Sequence, residues 1–63
     1  MTETEIKYDQ LIDQEIAASA ALVAAKAASV ALLDAGKHDE AIALVNAARE
    51  KLRAIYREQM ALR

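Results

Sequence analysis

Residues 16–33 read IAASAALVAAKAASVALL. Lys26 is the one formal charge, and neither glycine nor proline interrupts the run. Alanine and leucine are the strongest helix formers, so a stretch of this length without a breaker folds as helix. It is also too apolar to stay exposed on every side, and it needs something to lie against. The flanking sequence supplies that need: a polar lead-in, a tight reversal and a second helical segment.

The chain has 63 residues, which bounds it to one domain with a small core. Cores of this size contribute only a few kcal/mol, so small chains lean on disulfides, metals or further copies of themselves. There is no cysteine, which excludes disulfides and thiolate zinc sites, and His38 is the single histidine. Self-association is the support that remains. Proline is absent, glycine occurs once, and Tyr8 and Tyr56 are the only aromatics. That composition excludes a β-rich or loop-rich fold and points to long helices with one break. The net charge of −2 gives no general attraction to nucleic acid or anionic lipid. Met1–Glu5 is acidic and resembles no secretory leader, so the expected compartment is the cytoplasm.

Thr2 or Thr4 can cap a first helix, and Glu5, three residues after Thr2, completes a capping box. Advancing 100° per residue, Tyr8, Leu11, Ile12, Ile16, Leu22, Val23, Val30 and Leu33 fall on one half of the cylinder. Lys7, Asp9, Gln10, Asp13 and Gln14 fall on the other. Beyond Ile16 the polar half gives way to Ala17, Ala20, Ala21, Ala24, Ala25, Ala27, Ala28, Ala31 and Ala35. Methyl side chains let backbones approach, and contiguous apolar surfaces are usually covered, so a second helix is expected on this alanine face.

Gly36 fits the left-handed position that ends helices, and Asp39, alone or with His38, is the expected cap of the next one. Helix 1 is thus expected over about 4–35, a turn over 36–38, and helix 2 over about 39–62, as antiparallel neighbours in one hairpin domain. Helix 2 has a seam at Ala41, Val45, Ala48, Leu52, Ile55, Gln59 and Leu62, spaced 4 and 3 in alternation. Gly36-Lys37-His38-Asp39-Glu40-Ala41-Ile42, followed by Ala48, resembles the middle of a tetratricopeptide repeat, although His38 and Val45 stand where that family carries aromatics. The resemblance implies a tight helical hairpin. The overall layout is similar to that of the Rop family of plasmid copy-number regulators, whose hairpins dimerise into four-helix bundles.

Little in the sequence can carry catalysis. Ser19 and Ser29 have no base near them, Asp9 and Asp13 form a solvated helical face, and Glu-x-x-His pairs and glycine-rich phosphate loops are absent. The chain is read as a non-enzyme with no cofactor and no metal. Glu15, Ser19 and Lys26 are polar residues among large apolar ones. Glu15 and Lys26 stand about 16 Å apart on one helix, so they can meet only between two chains. Arg49, Arg53 and Arg57 recur every four residues and could contact phosphates, but Glu50 and Glu58 interleave with them. A membrane span is disfavoured because Lys26 costs roughly 2.5–3.5 kcal/mol near the bilayer centre.

The expectation is an all-α antiparallel helical hairpin that dimerises into a four-helix bundle. The expected oligomer interface is Leu11, Ile12, Ile16, Ser19, Val23, Lys26, Val30, Val45, Leu52 and Ile55. Tyr8, Tyr56, Met60, Arg49, Arg53 and Arg57 are candidate contacts for a further partner. The expected role is a homo-oligomeric protein-interaction module, accessory or regulatory to another protein. The alternatives are a nucleic-acid regulator of Rop-like layout and a designed or purely structural bundle.

Overall fold

The computed structural model describes residues 1–62. Two helices fill the described chain: α1 (Glu3–Asp34) and α2 (His38–Ala61), packed against each other as an antiparallel pair. Each end of α1 is closed by a local device already visible in the sequence. At the start, the Thr2 hydroxyl accepts a hydrogen bond from the Glu5 backbone N–H at 3.2 Å and donates to the Glu5 carboxylate at 3.2 Å. At the end, Gly36 takes a φ of +78°. Its N–H bonds the Leu33 carbonyl at 3.0 Å, and the Lys37 N–H bonds the Leu32 carbonyl at 2.8 Å. This double closure, with glycine in the left-handed region, satisfies carbonyls that the helix end leaves free.

The cap of α2 differs from expectation. Lys37, not Asp39, is the N-cap residue, and no side chain caps the helix. The tight turn brings Lys37 directly from the end of α1, so its carbonyl receives the first helical bond, from the Ala41 N–H at 3.1 Å. Asp39 and Glu40 lie instead inside the first turn, where their charge suits the positive end of the helix dipole.

The seam of α2 lies where the 4-3 spacing puts it. Ala41, Ile55 and Gln59 are buried, and Val45, Ala48, Leu52 and Leu62 are half-buried. On α1 the seam is Tyr8, Leu11, Glu15, Ala18, Leu22, Ala25, Ser29 and Leu32, spaced 3 and 4 in alternation, and all of these are buried or half-buried. Leu11, Ala18 and Ile55 form the centre of the core, with Leu52 and Leu62 against them.

Two expectations about α1 are corrected here. The large residues do not share one inward half-cylinder: Ile16, Val23, Val30 and Leu33 are exposed. Nor does α2 cover the alanine face. Of the nine alanines assigned to it, Ala25 is buried and the other eight are exposed, while Ala18, not among them, is buried. The reason is geometric. One straight helix covers a narrow two-position seam of its neighbour, not half the cylinder. Ala18 packs with Ile55 in the core. Small residues in both seams, Ala18 and Ala25 on α1 and Ala41 and Ala48 on α2, let the two backbones come close, so α2 settles on the row that carries them.

Gly36 has open space where a Cβ would stand, so substitution there is opposed only by the positive φ. Gly36→Ala should destabilise the hairpin by about 1 kcal/mol, lowering the melting temperature by roughly 4–8 °C in a chain of this size. Thermal unfolding followed by circular dichroism measures this.

Candidate self-association surface

One residue on from its seam, α1 carries a second row with the same spacing: Glu5, Asp9, Ile12, Ile16, Ser19, Val23, Lys26, Val30 and Leu33. A step of one residue turns the helix by 100°, so this row points away from α2. Its large members are open to solvent: Ile16 is 63 % exposed, Val23 69 % and Val30 57 %. Ile12 and Ser19 are half-buried. In an antiparallel pair, positions one residue on from each seam lie on the same side. The corresponding row of α2 is Ile42, Asn46, Arg49, Arg53, Tyr56 and Met60. Ile42, Tyr56 and Met60 are exposed large side chains. A groove of about 240 Å³ joins the two rows and is lined by Leu33 and Ser29 of α1 and Ile42, Val45, Asn46 and Arg49 of α2.

The residues expected at an oligomer interface therefore separate into two groups. Leu11, Val45, Leu52 and Ile55 belong to the seam within the hairpin, and Ile12, Ile16, Ser19, Val23, Lys26 and Val30 belong to the outward row. Among the candidate partner contacts, Tyr56 and Met60 are exposed on the same side as that row. Tyr8 is half-buried and lines a cleft with Thr4, Asp9 and Leu62. Arg53 and Arg57 both reach Glu50, at 3.3 and 3.6 Å, so part of the arginine edge is already neutralised from within. Arg63, which extends that edge in the sequence, lies outside the described residues.

The polar residues also find different places. Glu15 sits in the hairpin seam, where its carboxylate accepts a hydrogen bond from Gln59 Nε2 at 2.8 Å. The same nitrogen lies 3.5 Å from the Leu11 carbonyl oxygen. Gln59 is 6 % exposed, the one buried polar side chain among the described residues. Lys26 stands on the exposed row, so no lysine is trapped inside the hairpin. Sequence reasoning placed Gln59 in the seam but missed its partner. The available signal was a second polar residue, Glu15, in the 3-4 row of α1.

No group of three or more metal-ligating side chains occurs among the described residues. By length and composition α1 could cross a membrane, a test that the mostly buried core helix of a soluble protein also passes; here 11 % of the apolar window is buried within the hairpin. The sequence matches no protein-family model, and comparison with curated proteins and with solved structures finds no significant match. The likeness of the turn to a tetratricopeptide repeat rests on residues 36–42 and Ala48 alone.

The Glu15–Gln59 pair makes a stability prediction. Gln59→Leu leaves the half-buried Glu15 carboxylate without its donor and should cost about 1–2 kcal/mol in urea unfolding. Adding Glu15→Leu should recover that loss, because two apolar residues can fill the layer that the pair now occupies.

Proposed function

We propose that this chain is a non-enzymatic interaction module that works as a homo-oligomer, built by covering the outward row of α1 with a second copy. The observation that carries this reading is a row in heptad spacing whose apolar members Ile16, Val23, Val30 and Leu33 are exposed, on a helix that already has a partner on its other seam. A 4-3 row of large apolar residues is the pattern by which one helix recognises another.

Surface area supports the same reading. A monomeric protein of 6.8 kDa is expected to expose about 3,950 Å². This hairpin exposes 4661 Å², an excess of about 700 Å² over that scaling. Stable interfaces bury on the order of 800 Å² per partner. The elongated shape, 50 × 16 × 10 Å, contributes to that excess, and covering the outward row with a second copy would remove area of the same order. The thinness of the core agrees: its buried apolar residues are Leu11, Ala18, Ala25, Ala41 and Ile55, three of them alanines.

A regulatory or accessory role toward another protein then belongs to the assembled form, whose shape and valency the second copy supplies. The nucleic-acid reading has less support, since Glu50 holds two of the three arginines on which it depends.

Light scattering over a range of concentrations tests the proposal, with a dimer expected. The melting temperature should rise with concentration, because association stabilises by mass action. Val23→Glu places a charge at the centre of the outward row without touching the hairpin seam. It should yield a monomer that melts at a concentration-independent temperature. A wild-type chain that stays monomeric while fully folded overturns the reading.

A further inference from the structure

Resting on that reading, we infer that the second copy docks antiparallel along α1 in one register, with Asp9 of each copy opposite Lys26 of the other. The register follows from three features of the outward row.

The first is heptad geometry. In an antiparallel pair, the two kinds of row position must alternate across the interface, so the sum of facing residue numbers is constant and registers differ by steps of seven. A sum of 35 sets Lys26 against Asp9, Val23 against Ile12 and Ser19 against Ile16, each contact occurring twice. The outermost layer sets Val30 against Glu5, at the end of the pair, where a carboxylate reaches water.

The second feature is length. The bounds of α1 are fixed by Thr2 and by the Gly36 turn, giving Glu3–Asp34. At a sum of 35, residues 3–32 of each copy lie side by side, nearly the whole helix. At 42 the overlap shrinks to residues 8–34, and at 49 to residues 15–34. The first turns of α1, which extend past the end of α2 within the hairpin, then lie beside the Leu33–Ile42 groove of the other copy.

The third feature is charge. The middle of this face is basic: Lys26 on α1, with Arg49 on the same side of α2. A sum of 49 brings the two Lys26 side chains within about one helical turn of each other. At 42, Lys26 faces Ile16, and its charge is left among apolar side chains. At 28, Glu5 is pressed against Val23. Only at 35 does an acidic residue meet each lysine, and the two lysines then stand about 26 Å apart. Like charges at close quarters cost affinity, and complementary ones fix register.

Disulfide trapping tests this directly, since the chain has no cysteine of its own. In Asp9→Cys/Lys26→Cys the two positions are about 26 Å apart within one helix, so any disulfide between them joins two chains. Mild oxidation should convert this variant to a covalent dimer, while each single variant stays uncrosslinked. Charge reversal gives a second readout. Asp9→Lys and Lys26→Asp should each weaken dimerisation by about tenfold, and the two together should restore it to within about threefold. Circular dichroism checks that each variant remains helical. Crosslinking with rescue supports the register. A chain that dimerises without either overturns the register and leaves self-association standing. Crosslinking of a single variant to itself also overturns it, as would be seen for a parallel pair at either position. A chain that never dimerises overturns both this inference and the reading beneath it.

Discussion

Everything in this hairpin depends on the fact that one helix can cover only one seam of its neighbour. α1 carries two heptad rows 100° apart: one alternates small and large residues and holds polar Glu15 and Ser29, and the other bears Ile12, Ile16, Val23, Val30 and Leu33. α2 takes the first. Its own seam is narrow, with alanines at 41 and 48, and the row it covers carries Ala18 and Ala25, so close backbone approach gains dispersion along the whole contact. The bulkier β-branched row cannot be approached as closely and is left outward. The unsatisfied surface is thus a consequence of how the hairpin closes, not an accident of loose packing.

The seam is also where the hairpin resolves its one internal polar problem. Gln59 and Glu15 sit at facing positions and satisfy each other, so the layer near the open end of the hairpin is specified by a hydrogen bond as well as by shape. An apolar layer there would allow neighbouring registers of similar energy, because alanine-rich seams discriminate poorly between them. A buried amide that must find a carboxylate does not tolerate such slips. Near the other end the Gly36 turn plays the corresponding part. The two helices are therefore pinned near both ends, and the alanine-rich middle needs only to pack.

How far the sequence could be read follows from the same geometry. Thr2 as a cap, Gly36 in a left-handed turn and the seam of α2 each rest on local chemistry or on a single clean period, and the structure holds all three. The start of α2 falls within one residue of the expected position, and only its cap differs, because the tight turn puts Lys37 at the cap and Asp39 inside the first turn. The face of α1 was misjudged because its large residues occupy two rows only 100° apart, which a half-cylinder count merges into one. Alanine hid the true seam: it is apolar enough for the inside and the best helix former on the outside, so its position alone does not reveal which side it faces.

The sequence by itself determined that this chain makes two helices, where the break falls, and which stripe of α2 turns inward. These follow from propensity, from the one residue without a Cβ and from spacing, all of which act within a few turns of the chain. Tertiary structure decided which of two rows of α1 is used within the hairpin, that Glu15 is paired by Gln59, and that Ile16, Val23 and Val30 are left facing out. Those outcomes depend on a competition between two surfaces of one helix for a single partner. Such a competition is settled by how closely two backbones can approach, a property of the packed pair that no single segment contains.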